Sequence, residues 1–320
     1  MRIGVVLCTY NGERYLSEQL DSILAQERLP DEVLVQDDGS SDRTLAILSS
    51  YAAKAPFPLN VVRNRRNLGF VRNFEQGITQ CGADIIATSD QDDYWRCDKL
   101  KKIEEIFRSD QCISVVFSGA QMVDDGLAPL GYGLLQALHV SDADLERIGR
   151  ADFLPVLLRR NIAPGSTIAF RAERKERMLP IPEAAYHDEW MTLMAAAFDE
   201  LRFCAEPLIE YRQHTGNQLG LRRESVLDRM RKALRPVGHK EDIRRLKVID
   251  HLYERIRALG CRPTVLQEVR GKLQHVQMRT SLPSGRLLRV QPVIRELASG
   301  RYSKYSSWRG AVRDLVGPQA

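Results

Sequence analysis

Ile85-Ile86-Ala87-Thr88-Ser89-Asp90-Gln91-Asp92-Asp93-Tyr94-Trp95 is the stretch on which the reading of this chain turns. An apolar run stops abruptly, and three carboxylates follow within four residues. The pattern predicts a buried strand over Asp84–Thr88 whose C-terminal end opens into a site. Carboxylates this close repel one another unless a cation sits among them. A hard divalent cation meets that need, and Mg²⁺ keeps ligand positions for substrate phosphates. Taken alone, the same residues also fit a solvated acidic turn.

The residues upstream place that loop in company. Ile3-Gly4-Val5-Val6-Leu7-Cys8 is continuously apolar, as a central parallel strand covered on both faces would be. It ends in the polar turn Thr9-Tyr10-Asn11-Gly12. A helix is expected over Glu13–Gln26, with Leu16, Leu20, Ile23 and Leu24 on one face. Glu32–Gln36 reads as a second strand and also ends in acids, Asp37-Asp38-Gly39-Ser40-Ser41-Asp42. Asp42 can cap the next helix, which runs to about Ala53. Leu59–Arg63 is a third strand, Asn64–Gly69 a loop, and Val71–Gln80 a helix. This alternation predicts an α/β fold, a Rossmann-like and mostly parallel sheet flanked by helices. Ligands of such sheets bind beyond the carboxyl ends of the strands. There Thr9 and Asn11, Asp37 and Asp38, Asn67, and Asp90 to Asp93 collect on one crevice, which favours a site over a turn.

Neither G-x-G-x-x-G nor G-x-x-x-x-G-K-[ST] is present, so phosphate charge must be met by a metal and nearby donors. Asp38 can accept a hydrogen bond from the ring N–H of uracil or thymine. Asn67 or Arg72 could hold base or phosphate, although Asn67-Leu68-Gly69 also reads as a plain turn. Further on, the pattern predicts a helix over Lys99–Phe107 and a strand over Ile113–Ser118. Gly126–Gly133 reads as a flexible flap. A helix over Phe153–Leu158, a small-residue turn at Asn161–Thr167 and a strand at Thr167–Phe170 follow. A helix then starts at Tyr186-His187-Asp188-Glu189-Trp190, and a strand is expected at Leu208–Tyr211.

Four motifs now carry a resemblance: Val5-Val6-Leu7-Cys8-Thr9-Tyr10-Asn11, Asp37-Asp38-Gly39-Ser40-Ser41-Asp42, Asn67-Leu68-Gly69 and Asp90-Gln91-Asp92-Asp93-Tyr94-Trp95. In this order they resemble family 2 glycosyltransferases with the GT-A fold, over roughly residues 1–220. The Ser-Asp-Gln-Asp-Asp-x-Trp variant is similar to the rhamnosyltransferase-like branch, which builds bacterial O-antigen and other surface polysaccharides. The resemblance implies that Thr9, Tyr10, Asn11 and Gln91 contact the nucleotide and that Asp38 reads the pyrimidine. It implies that Asp90 and Asp92 hold Mg²⁺ or Mn²⁺ on the donor diphosphate, with Asp93 as an alternate ligand. Tyr211-Arg212-Gln213-His214 resembles the segment that closes the catalytic domain. His214 would complete the metal site or touch the diphosphate, and Arg212 would pair with the diphosphate. Trp95, His187 and Trp190 are expected near diphosphate or acceptor.

An inverting transfer needs one carboxylate to take the acceptor's hydroxyl proton. Asp188 matches the family position of this base. The branch often has an aromatic after that Asp, where this chain has Glu189, so Glu189 stands as the alternative. Asp188 also reads as an N-capping residue, and the two roles are compatible.

Size and charge add bounds. A chain of 320 residues can bury a large core,. Its six cysteines form no CxxC pair, which fits a reduced, cytoplasmic setting without a zinc site or disulfide framework,. No secretory leader is expected from Met1-Arg2-Ile3, and no run reaches the length of a membrane span. Residues 221–320 carry 23 Lys and Arg against 9 Asp and Glu, whereas residues 1–220 carry 24 against 33. The expected organisation is a catalytic domain over 1–220 and a basic helical extension over 221–320. In the first, residues 1–95 would bind the nucleotide sugar and 96–220 the acceptor. The Arg-rich helices at Asp242–Leu259 and Thr264–Met278, with Trp308 and nearby Tyr residues, suit an anionic membrane surface on the inner leaflet. A cap on the catalytic domain or a dimer interface fits them equally. Nucleic acid is not expected as a partner, because no binding module is recognisable.

The leading expectation is therefore a transfer from a dTDP- or UDP-linked sugar to a glycan or lipid-linked acceptor, with dTDP-rhamnose as the branch-level donor. A sugar-phosphate nucleotidylyltransferase is the enzymatic alternative, although Thr9–Gly12 is not the Gly-rich basic loop it would show. A non-catalytic nucleotide-sugar-binding protein is the other.

Overall fold

The computed structural model describes residues 1–214 and 240–317. At its centre lies β1 (Ile3–Thr9), buried along its whole length. Strand alternation sends Val6 and Cys8 to one face of the sheet and Ile3, Val5 and Leu7 to the other,. Both faces are packed, which is why the run is apolar without a break. β1 runs parallel between β2 (Glu32–Asp37) and β4 (Ile85–Ser89), and β3 (Leu59–Arg63) forms the outer edge. Thr9 pairs with Asp37 and Leu7 with Ser89, so these three strands end nearly level.

The helices Leu16–Leu24, Thr44–Ala52 and Phe70–Gln80 make the crossovers. The second begins at Thr44, whose N–H donates to Asp42 at 2.9 Å. In the third, a Cβ on Gly77 would come within 2.6 Å of Val6 Cγ1, so this helix lies directly on β1.

Beyond β4 the sheet becomes mixed. β8 (Ile168–Arg171) is antiparallel to β4, and β6 (Val115–Val123) is antiparallel to β8 and parallel to β9 (Leu201–Arg212). The short β5 (Tyr94–Trp95) closes this side against β9. β6 and β9 run well past the stretches that betray them in sequence, because they pair with one another in parallel from Val115 and Leu201 to Val123 and Arg212. The expected flap at 126–133 is different. Pro129–Gly133 is a strand, β7, antiparallel to β6. Pro129 is its first residue, where a strand tolerates a missing N–H. The helix expected at Phe153–Leu158 is the single turn Leu154–Leu157.

The basic C-terminal region is helical, with helices Lys240–Ala258, Pro263–Thr280, Arg286–Ala298, Arg301–Tyr305 and Trp308–Val316. Val248, Ile249, Leu252 and Ile256 of the first share one apolar core with Trp190, Leu193 and Phe117. Of the readings left open for 242–259 (membrane surface, cap on the catalytic domain, dimer interface), its apolar side takes the place of a cap packed into the protein. A second small core holds Leu282, Val293, Tyr302 and Ala311. The expected boundary near residue 220 lies outside the described residues. Among the described residues, no helix is long and apolar enough to cross a membrane.

Candidate active site

The level strand ends surround a cavity of about 930 Å³. Thr9 to Gly12 line it from β1, Asp38 from β2, Asn67 and Gly69 from the loop after β3, and Asp90 to Asp92 from β4. Asn161, His187, Asp188, Tyr211 and His214 line it from the second half of the chain. Among these expected residues, Thr9, Tyr10, Asn11, Asp38, Asn67, Asp90, Gln91, Asp92, His187, Asp188 and His214 are brought to one wall or another.

Many of these polar groups first hold the loops to each other. Buried Asp37 accepts from Thr9 Oγ1 at 2.9 Å and from Ser40 N at 2.9 Å. Asn11 has a left-handed backbone (φ 47°), which Asn tolerates better than most residues,. Its Oδ1 accepts from Ser41 N at 2.8 Å. Gln91 clips the first loop like a strand partner, accepting from Tyr10 N at 2.8 Å and donating to Tyr10 O at 3.1 Å. Asp38 accepts from Leu68 N, Gly69 N and Asn64 Nδ2 at 2.8–2.9 Å. A carboxylate has about four acceptor positions, so one remains toward the cavity. Arg72 stands apart. It pairs with Glu75 at 2.5 Å and lines a shallow groove on the other side of the Asn67 loop.

The acidic loop is electrostatically frustrated. Burial pushes the Asp90 carboxyl well above its ordinary range, and Asp92, Asp93 and Asp188 add to the shift by repulsion. Asp93 is also pushed up by burial and by Asp92, against hydrogen bonds from the Ser166 side chain and the Arg212 N–H. Asp92 meets His214, Nε2 to Oδ2 at 2.8 Å. Behind the loop lies Lys99, which sequence reasoning placed only on an amphipathic helix. Its buried ammonium donates to Ser166 O at 2.7 Å and sits 3.7 Å from the Trp95 ring centroid. Burial lowers the Lys99 pKa well below its ordinary value, while Asp93 and Asp90 oppose that shift. A Lys directly after Asp98 on the inward face was the available signal. Trp95 itself is buried beneath the loop and does not line the cavity.

Arg212 is buried and heavily engaged. Nε donates to Asp92 O at 2.8 Å, and the guanidinium also reaches Glu18 and the Asp125 carbonyl. It fixes the acidic loop from behind and stacks over Tyr15. Among the described residues, no group of three or more His, Cys, Asp or Glu side chains is gathered for a metal ion. Asp92 and His214 make a two-residue site with Asp90 in the same field. Buried mutual repulsion among carboxylates fits a cation, whose remaining positions donor phosphates could fill.

Asp188 and Glu189 diverge. They open the helix His187–Ala197. Asp188 lines the cavity, and burial raises its carboxyl to about 7, against hydrogen bonds from Asn161, the Asp188 N–H and the Gly165 N–H. Its Oδ1 accepts from Glu189 N at 2.6 Å. Glu189 is buried but faces the C-terminal helix, where Arg244 donates to it at 2.6 Å and Arg245 also pairs with it. His187 stacks on Phe74 at 4.0 Å, and neither ring nitrogen has a partner among the described residues. Burial drops its pKa to about 3, so the ring is neutral. Trp190 is buried away from the cavity, donating to Met178 O at 2.6 Å.

Comparison with known proteins adds to this geometry. Residues 4–129 match the model of the family described as Glycosyl transferase family 2. An uncharacterized glycosyltransferase of Nostoc sp. is 26% identical over 224 residues, 68% of this chain and 66% of the relative. The dTDP-rhamnosyl transferase RfbG of Shigella flexneri is 33% identical over 114 residues, 34% of this chain and 39% of the relative. The chain thus spans less than two thirds of these relatives' own lengths. Among solved structures, S. aureus TarS 1-349 in complex with UDP-GlcNAc has a TM-score of 0.62 at 15% identity, covering 98% of this chain and 92% of that one. The mannosyltransferase PcManGT from Pyrobaculum calidifontis, in complex with GDP-Man and Mn²⁺, has a TM-score of 0.52 at 18% identity, covering 98% and 87%. At such identities the likeness is one of fold.

Proposed function

We propose, for a chain that belongs through residues 4–129 to the family 2 glycosyltransferases and is a glycosyltransferase of the GT-A fold, that it moves a sugar with inversion from a nucleoside-diphosphate donor to a hydroxyl of a glycan or lipid-linked acceptor. The observation that carries this reading is one cavity lined both by the mutually repelling carboxylates Asp90 and Asp92 and by Asp188, whose burial raises its carboxyl to about 7. Residues of the first half would hold the nucleotide: Asp38 through its remaining acceptor position, with Tyr10, Asn11 and Asn67 beside it. Asp90, Asp92 and His214 would hold a divalent cation, Mg²⁺ or Mn²⁺, which when bound would supply positive charge for the donor diphosphate.

Asp188 is the general base in this reading. The acceptor oxygen bonds to the anomeric carbon as the bond to the diphosphate oxygen breaks, and the hydroxyl proton passes to the Asp188 carboxylate. Neutral His187 lines the cavity beside Asp188 and would shape the acceptor side of it. Arg212 works from behind, holding the Asp92 backbone. Glu189 supports the helix start. Rhamnose from dTDP-rhamnose is the favoured donor, supported by the named activity of the Shigella relative. Bacterial surface polysaccharide, including O-antigen, is the favoured product class.

The test is a panel of nucleotide sugars with Mg²⁺, with Mn²⁺ and with chelator. The reading expects metal-dependent release of one nucleoside diphosphate. Release that is indifferent to chelation would overturn the cation assignment. Neither release nor binding of any nucleotide would overturn the site.

A further inference from the structure

The C-terminal helices Arg286–Ala298 and Trp308–Val316 are built inside out. On the first, the inward positions hold Arg289 and Glu296 as well as Val293. Leu287, Val290, Ile294 and Leu297 recur at helical spacing on the outward side, with Leu288 beside them, and all five are exposed,. Leu287 is 88% and Leu288 69% exposed. On the second helix Asp314 is buried, whereas Trp308, Val312 and Val316 face out at i, i+4 and i+8. The two helices pack against each other. Eight large apolar side chains are therefore presented by a pair of helices whose own small core has only four buried apolar residues, Leu282, Val293, Tyr302 and Ala311. An exposed apolar patch of this kind marks an interaction surface.

Its charge says which partner fits. The only carboxylate residues between 281 and 317 are Glu296 and Asp314, and both are buried in pairs with Arg301, His275, Arg279 and Tyr302. Arg286, Arg295 and Arg309 are exposed. A second copy would set cation against cation, and no acid on this stretch would relieve it. A bilayer with anionic headgroups meets both features: acyl chains for the aliphatic side chains, phosphates for the arginines, and the interface for Trp308. We propose that helices 286–298 and 308–316 form a membrane-docking face for anionic phospholipid. This face is distinct from the apolar side of 242–259, which the core consumes, and it stands whether or not the donor chemistry above is right.

Full-length protein is floated with vesicles of phosphatidylcholine alone and of phosphatidylcholine with phosphatidylglycerol, without any nucleotide sugar. Tryptophan emission is followed in parallel. Trp95 and Trp190 are 1% and 0% exposed while Trp308 is 68% exposed, so a blue shift reports Trp308. The face predicts flotation and a blue shift with the anionic vesicles only. Changing Leu287, Leu288, Ile294 and Trp308 together to Ser lowers partitioning by at least about tenfold. Each of Arg286→Gln, Arg295→Gln and Arg309→Gln lowers it by roughly fivefold. Trp308→Phe still floats but loses the spectral shift. Protein that stays at the bottom with anionic vesicles overturns the proposal, as does a serine variant that floats like the unaltered chain. A dimer with blue-shifted Trp308 emission in the absence of lipid overturns it too, in favour of a second copy.

Discussion

Asp188 and Glu189 are neighbours in sequence with opposite surroundings. One lines the cavity and the other is clamped by Arg244 and Arg245. A general base works in its ionised form, and burial raises Asp188 to about 7. Below that pH the carboxyl is neutral and cannot accept the proton, so kcat/KM is expected to rise with pH through about 7 and level off above it. A profile flat across that range would assign proton transfer to another group. Sequence shows which polar residues stand at strand ends, because that follows from local pattern. It does not show where each side chain is engaged. Thr9 and Asn11 are partly taken up by Asp37 and Ser41, and Arg212 by the acidic loop, because each partner arrives from a different loop. His187 is the reverse case, a residue whose two buried nitrogens, unpartnered among the described residues, become visible only once its neighbours are in place.

The strands β1, β2 and β4 are legible because central strands must be apolar on both faces. β7 is not, since its Pro and Gly read as a loop and only pairing with β6 makes it a strand. The helix Lys240–Ala258 is legible as a helix, but its docking is not. An apolar stripe beside arginines fits a membrane and a protein core alike, and the core claims Val248, Ile249, Leu252 and Ile256. The Arg244 and Arg245 contacts with Glu189 join that helix to the start of the helix His187–Ala197. Removing one partner of a buried ion pair leaves uncompensated charge and costs about 3–5 kcal/mol. Glu189→Gln is therefore expected to lose about that much stability in urea unfolding while the folded enzyme keeps its kcat to within about tenfold. A collapse of kcat with unchanged stability would make Glu189 the base.

The chain reads in sequence as an acidic body and a basic tail, and the charge division is real. The structure nevertheless joins the two through one core. The four aliphatic side chains that the helix Lys240–Ala258 buries in that core are worth about 1.5–3 kcal/mol each,. Together they rival the whole net stability of a domain, about 5–15 kcal/mol. A fragment ending at residue 239 is accordingly expected to aggregate or bind a hydrophobic dye, and a monodisperse fragment that binds nucleotide would show the catalytic part to be independent. The order of the first four strands and the loop that carries the acids were readable in the sequence. The inverted C-terminal helices were not, because burial of Arg289, Glu296 and Asp314 depends on partners distant in the chain. The central claim concerns the cavity itself, and the most direct measurement is nucleoside-diphosphate release by the whole chain with Mn²⁺, for the unaltered protein, Asp188→Asn and Asp92→Asn, with nucleotide binding followed alongside. The account predicts that Asp188→Asn binds nucleotide normally and loses about 10²–10⁴ in turnover, while Asp92→Asn loses the metal-dependent part of both. Asp188→Asn turning over within about tenfold of the unaltered protein would contradict it.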